Sequence, residues 1–461
     1  MSAARNSAGL ALVEAVMRLA LVLVLACLVH SPLHADSTVV FSNVHVIPMD
    51  REHVLDARDV VVRNGVIRAI ESHHDRTWPP DTRVVDGTGR FLIPGLNDLH
   101  VHTQFGDERQ LELYVANGVT TVLNLSGTPQ ILAWKRRIDR GELLGPNLYS
   151  SGPILDGDPP TNPTHAIVHD RTEAERAVRE QVAVGYDFIK PYSALSEDAY
   201  FGIVEAAHES NIRLVGHVSW NVGVERTIDA DQSAIAHVEE LYRHFVDRHR
   251  KPPPDTRPDS TRIRALAKRL HAHDVWVITT LSSNTNILDQ ATRLEDVLQR
   301  PEMVYVPASY LAECRTGDPY AARGADWVQQ NRIMVPFLFR IVAGLREGGV
   351  RMIAGTDATN PIQVPGVSLH EELAELVQAG LTPYQALWTS TRNPALFLGR
   401  GKVAGAITPG RFAELVLLDA NPLDDIRNTT RIAGVMLHGN WFDHERIEAM
   451  KREIVEHMAR Q

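Results

Sequence analysis

An alternation along the chain constrains the fold most. Eight β-like runs recur between stretches of helical texture: "LNDLHVH" (96–102), "TTVLNLSG" (120–127), "LYSSGPIL" (148–155), "DFIKPYS" (187–193), "IRLVGHV" (212–218), "SAIAHVEEL" (233–241), "WVITTLSS" (276–283) and "RMIAGTDA" (351–358). Strands separated by helices build parallel sheets from βα units. Eight such units close a barrel, so the expected fold class is α/β, a (β/α)8 TIM barrel with its active site at the C-terminal ends of the strands. An open doubly wound sheet lacks its usual support, because no GxGxxG follows the first central strand.

At 461 residues the chain exceeds what one ordinary core fills, so a barrel with a satellite domain is expected. Short alternating runs between residues 36 and 93, with a hairpin signal at Asn64-Gly65, predict an antiparallel sheet. The same texture returns in "GRFAELVLLDANP" and "IAGVMLHGNWFD". The two termini are therefore expected to combine into one small β-sandwich, from residues 36–93 and 401–461 with a terminal helix, flanking a barrel over 94–400.

Residues 1–35 read as an export signal. Arg5 and Arg18 precede the apolar run "LALVLVLACLV", and Ala35 offers a small residue for cleavage before Asp36. Eleven apolar residues are too few to span a bilayer unaided, which favours a removed signal and a periplasmic or secreted protein. The alternatives are a retained apolar helix and lipidation at Cys27. Cleavage after Ala35 would leave Cys314 as the one cysteine, so no intrachain disulfide is expected. A formal charge of -10 without a basic stripe argues against nucleic-acid partners, and no membrane partner beyond the export signal is expected. A homo-oligomer is left open.

His100 and His102 stand two apart on a run that otherwise reads as a buried strand, so both imidazoles share a face. At the end of a barrel strand that face is the mouth, where two neutral imidazoles can hold one divalent metal, typically zinc. The bland alternative is a satisfied histidine pair. Complementary groups end other strands: Lys190 the fourth, His217 the fifth, His237 the sixth and Asp357 the eighth. A lone ammonium has no lone pair for a metal. A lysine carbamylated by carbon dioxide becomes an anionic oxygen donor.

On these motifs, together with "GVTTVLNL" and the tail "HEELAELVQAGLTPYQALWTSTRNPALFLGR", the chain resembles the amidohydrolase superfamily, and within it the prolidase-like and imidazolonepropionase-like subgroup. The resemblance implies two divalent metal ions, with zinc expected. His100, His102 and Asp357 would hold the more buried ion, His217 and His237 the more exposed one, and carbamylated Lys190 would bridge them. Pro191 departs from the family pattern, which has a β-branched residue after the lysine. Members resembling imidazolonepropionase use one metal and no bridging lysine, and Lys190 favours the two-metal form. The implied chemistry is attack by a metal-held hydroxide, available because metals lower the pKa of bound water from about 15.7 toward 7. Asp357 would act as general base and then general acid.

The expected substrate is a small-molecule amide, a dipeptide or N-acyl amino acid, cut at its C–N bond. A hydrolase of lactones, esters or phosphotriesters, a single-metal cyclic-amide hydrolase and an exported binding protein with a structural metal are the alternatives. Tyr192 could donate a hydrogen bond to a substrate carbonyl, or could pack at the barrel rim. His165, in the loop after the third strand, is a candidate substrate contact, and His370 is expected to be structural. No Arg falls at the C-terminal end of a strand, so the sequence offers no partner for a substrate carboxylate.

Overall fold

The computed structural model describes residues 38–103, 106–246, 260–359 and 362–461. The expected signal segment and Cys27 lie outside them.

The chain opens with β1 (Thr38–Val46), β2 (Leu55–Arg63), β3 (Val66–Ser72), β4 (Thr82–Asp86) and β5 (Phe91–Pro94). The turn between β2 and β3 falls where the sequence predicts it. Asn64 and Gly65 take φ of +52° and +69°, the left-handed pair whose twist matches that of the flanking strands. The C-terminal strands β16 (Leu415–Leu418), β17 (Ile432–Leu437) and β18 (Asn440–Asp443) join the same sheet, because β16 pairs antiparallel with β5. Its order is β18-β17-β16-β5-β1-β2-β3, with β4 also on β1. Both termini thus meet as the sequence suggests, in one continuous hydrogen-bonded path rather than two separate sheets. Helix His444–Met458 follows β18, its N-terminus capped by the Asp443 side chain.

Gly95 alone separates β5 from β6 (Leu96–Val101), so the terminal sheet fixes the first strand of a second, parallel array. β6 pairs with β7 (Val119–Asn124), and β7 with β8 (Asn147–Ser150). A bridge from Ser151 to Phe188 passes the ladder on, beyond a small pair β9 (Leu155–Asp156) and β10 (Ala166–Ile167), to β11 (Phe188–Ile189). From there β12 (Arg213–Gly216), β13 (Ala234–Ala236), β14 (Trp276–Ile278) and β15 (Met352–Ile353) follow in parallel order. A parallel bridge from Ala358 to Val101 returns the ladder to β6. The eight runs read from the sequence are the eight strands of this closed parallel barrel.

Alternation divides each strand into two jobs. Ile189, Leu214 and Val277 face the surrounding helices, whereas Phe188, Val215, Ala236, Ile278 and Ile353 share one buried interior cluster. That cluster plugs the barrel at its N-terminal end, where Phe397 of helix Arg392–Phe397 stacks on Phe188 at 5.7 Å between ring centroids. Polar side chains follow the plug toward the strands' C-terminal ends. Among the described residues no helix is long and apolar enough to cross a membrane.

Phe188 is 2% exposed and carries both the interior packing and the stack on Phe397. Phe188→Ala is expected to cost about 3–5 kcal/mol, the range for deleting a large buried aromatic. Urea unfolding measures it, and a loss well under that range would show that the interior collapses around the gap.

Candidate metal centre

On β11 and β12 the interior register that delivers Phe188 and Val215 delivers Lys190 and His217 two residues later. Pro191 lacks an N–H, yet its carbonyl accepts from His217 N at 3.0 Å, so the departure from the family pattern does not break the ladder. Gly216 is required there, since a Cβ would sit 2.2 Å from the Pro191 oxygen.

His237 follows Ala236 directly, and alternation alone would turn it outward. Its φ of +72° reverses the chain instead. Its ring then lies 4.3 Å from that of His100 and 4.8 Å from that of His217. Thr280 and Asp357 take left-handed φ as well, +47° and +68°. Non-glycine residues in this region cost about 1–3 kcal/mol each and cluster at functional sites.

The structure brings all six expected ligands together. Asp357 Oδ1 lies 3.0 Å from His102 Nε2 and 3.2 Å from His100 Nε2, and His100 Nε2 is 3.2 Å from Lys190 Nζ. One donor atom each from His100, His237 and Asp357 fall within 4.8 Å of one another. His217 Nε2 is buried and has no hydrogen-bond partner among the described residues, and Asp357 Oδ1, also buried, faces the ring nitrogens of His100 and His102. Leaving such atoms unmet costs desolvation that a bound cation would offset.

Charge states favour the same occupant. Burial first, then the neighbouring Lys190 charge among others, holds His100 and His217 well below the usual imidazole range; burial does the same for His237. Neutral imidazoles keep a lone pair for a metal. Burial pushes Asp357 up, but hydrogen bonds from His100 and His102 outweigh it and hold the carboxyl well below its ordinary value. Burial lowers Lys190 to about 8, against the pull of Asp357 and Glu240.

Outer groups orient the rings. His217 Nδ1 is 3.0 Å from Ser193 Oγ and 3.1 Å from Glu240 Oε1, while His237 Nδ1 is 2.8 Å from Thr280 Oγ1. The Glu240 carboxylate only accepts, so it keeps the proton on Nδ1 and frees the lone pair of Nε2. Ser283 Oγ donates to Asp357 Oδ2 at 3.4 Å.

Both expected substrate contacts stand beside the cluster. The Tyr192 ring lies 3.8 Å from that of His217 and 4.5 Å from that of His165. His165 Nδ1 is 3.0 Å from Asp156 Oδ2. Burial raises Asp156, yet hydrogen bonds from His165, Thr161 and Ala194 bring it down to about 2. His370 is buried between Thr429 Oγ1 and the Asn117 carbonyl, the structural place expected of it. Sequence reasoning missed Asp156, Ser193, Glu240 and Thr280. Glu240, three residues past His237 in "HVEE", had the clearest local signal, a carboxylate one helical turn beyond a strand-end histidine.

A family model described as the amidohydrolase family matches residues 91–442. The chain is similar to ochratoxinase of Aspergillus niger, 24% identical over 459 residues that cover 85% of this chain and 83% of that protein. It is similar also to imidazolonepropionase of Klebsiella pneumoniae, 23% identical over 423 residues with 83% and 92% covered. Among solved structures it is similar to a Xaa-Pro dipeptidase with bound methionine in the active site, with a TM-score of 0.69, 18% identity, and 88% of this chain and 100% of that one covered. Bottromycin amidohydrolase gives a TM-score of 0.72 at 23% identity, covering 91% and 90%. At these identities the structural likenesses speak to the fold.

If Glu240 sets the tautomer of His217, Glu240→Gln should weaken divalent-metal binding about ten- to a hundredfold, the usual effect of losing an outer partner. Chelator competition on the purified variant measures this. Unchanged affinity would leave Glu240 only the ion pair with Arg243, whose Nη1 lies 3.8 Å from its Oε1.

Proposed function

The chain belongs to the amidohydrolase family, and from that premise we propose that it is a metal-dependent hydrolase that cuts the amide bond of dipeptides or N-acyl amino acids. The observation that carries this reading is the cluster at the barrel mouth: four imidazoles that burial holds neutral, an ionised carboxylate and a lysine, with His217 Nε2 buried and unmet among the described residues. Structural zinc sites are usually closed and rich in cysteine, whereas this donor set is neither, which speaks against a binding protein.

In this reading His100, His102 and Asp357 would hold one divalent ion and His217 and His237 a second, with Lys190, as its carbamate, serving both. Zinc suits the imidazole-rich set. Carbamylation requires a neutral amine, and a lysine lowered to about 8 offers one far more often than an exposed lysine does. Divalent ions held there would supply a water acidified toward neutral pH and would polarise the substrate carbonyl.

The remaining work falls to the chain. The Asp357 carboxylate accepts a proton from the attacking water and returns it to the departing nitrogen, so that the amine leaves neutral. Burial pushes the Tyr192 phenol well above its ordinary range, so it stays a hydrogen-bond donor to the carbonyl oxygen as negative charge develops there. His165, fixed by ionised Asp156, closes the substrate side of Tyr192. The reading includes export, with residues 1–35 removed.

The test is a panel of dipeptides, N-acyl amino acids, lactones and phosphotriesters run on zinc-loaded enzyme prepared with bicarbonate. Turnover of the amides above the other classes is expected, and a preference for lactones or phosphotriesters would contradict the reading. Asp357→Asn is expected to lower kcat by about a hundredfold or more while retaining most of its metal. Full activity in a metal-replete variant would remove Asp357 from the proton path.

A further inference from the structure

The sequence shows no arginine at a strand end, but the fold supplies one a single helical turn further on. The short helix Val238–Tyr242 begins directly after His237, and Arg243 caps its C-terminus. Its Nη2 donates to Glu239 Oε1 at 3.0 Å. Its Nη1 stands 3.8 Å from Glu240 Oε1, too far for a hydrogen bond, and that same oxygen is 3.1 Å from His217 Nδ1. One carboxylate oxygen therefore separates the guanidinium from the His217 ring, which also has the Tyr192 ring at 3.8 Å.

The guanidinium also lies over the Trp220 ring, 5.7 Å from its centroid. Trp220 stands three residues beyond His217 and is 41% exposed, and the Arg243 side chain is 32% exposed. A guanidinium placed over an aromatic face keeps its in-plane N–H groups available. Glu239 takes one of them, and Glu240 is already engaged by His217. The fork is thus held in place, reachable from solvent, and left with donors to offer at the rim of the metal cluster.

Such a fork suits a carboxylate, which it can bind through two parallel hydrogen bonds, and has little to offer a neutral group. We propose that Arg243, backed by Trp220, is a specificity residue that binds a carboxylate on the amine side of the scissile amide. The inference rests on the amide-hydrolase reading above. It assigns a partner to the carboxylate that both proposed substrate types carry on the departing amine, the carboxylate carbon lying two bonds from the scissile nitrogen.

The test compares N-acetyl-phenylalanine with N-acetyl-phenethylamine, which lacks only the carboxylate, on zinc-loaded wild type, Arg243→Met and Arg243→Lys, with metal content measured for each. Wild type is expected to prefer the acid in kcat/KM. Arg243→Met should shrink that preference about ten- to a hundredfold, mainly through KM for the acid, the usual scale for a hydrogen bond to a charged group. Arg243→Lys should keep part of it, because the charge remains while the fork is lost. An unchanged ratio in Arg243→Met, or the absence of a wild-type preference while amides are still hydrolysed, would overturn the assignment and leave the amidase reading standing. Failure of the wild type on every amide would overturn both.

Discussion

Everything at the mouth depends on the seam where the eighth strand returns to the first. Leu99 N donates to the Ala354 carbonyl at 3.1 Å, Asp357 N to the His100 carbonyl at 2.7 Å, and Thr356 Oγ1 to Asp98 Oδ2 at 2.6 Å. The approach is close enough that a Cβ on Gly355 would lie 2.7 Å from that of His100. These contacts join residues more than 250 positions apart and set Asp357 against His100 and His102. The terminal sheet serves the seam too, because β5 runs through Gly95 into β6 and so anchors the strand that carries both histidines.

Once the seam is closed, the electrostatics follow from burial. Four imidazoles packed around a lysine cannot all carry protons, so they stay neutral and keep their lone pairs. A carboxylate placed among them stays ionised, since the neighbouring ring nitrogens outweigh its desolvation. The cluster does not satisfy itself: His217 has Ser193 and Glu240 on one nitrogen and no partner among the described residues on the other. Such a set is strained in isolation, and left-handed backbone at His237, Thr280 and Asp357 adds to the cost. A divalent cation would relieve the electrostatic part of it.

What the sequence makes legible is what is local. The strands could be read because each is a short apolar run, and Lys190 and His217 because strict alternation carries the interior face from plug to mouth. His237 was found as a strand-end histidine, although its route to the mouth, through φ of +72°, leaves no mark in the residue pattern. Texture shows that both termini contribute strands; it does not show that β16 lies beside β5, which joins residues more than 300 apart. Glu240, Thr280 and Asp156 stayed hidden because each acts on a histidine belonging to another segment. Arg243 leaves no mark in the strand pattern because it sits one helical turn beyond the strand end.

The central claim is that these six side chains form one metal centre bridged by Lys190. The most direct measurement is metal content by mass spectrometry of protein prepared with zinc and bicarbonate, beside Lys190→Ala prepared in the same way. The account predicts two ions per chain in the wild type and at most one in the variant. One ion in both proteins would contradict it, reducing Lys190 to a structural charge and the site to a single-metal centre.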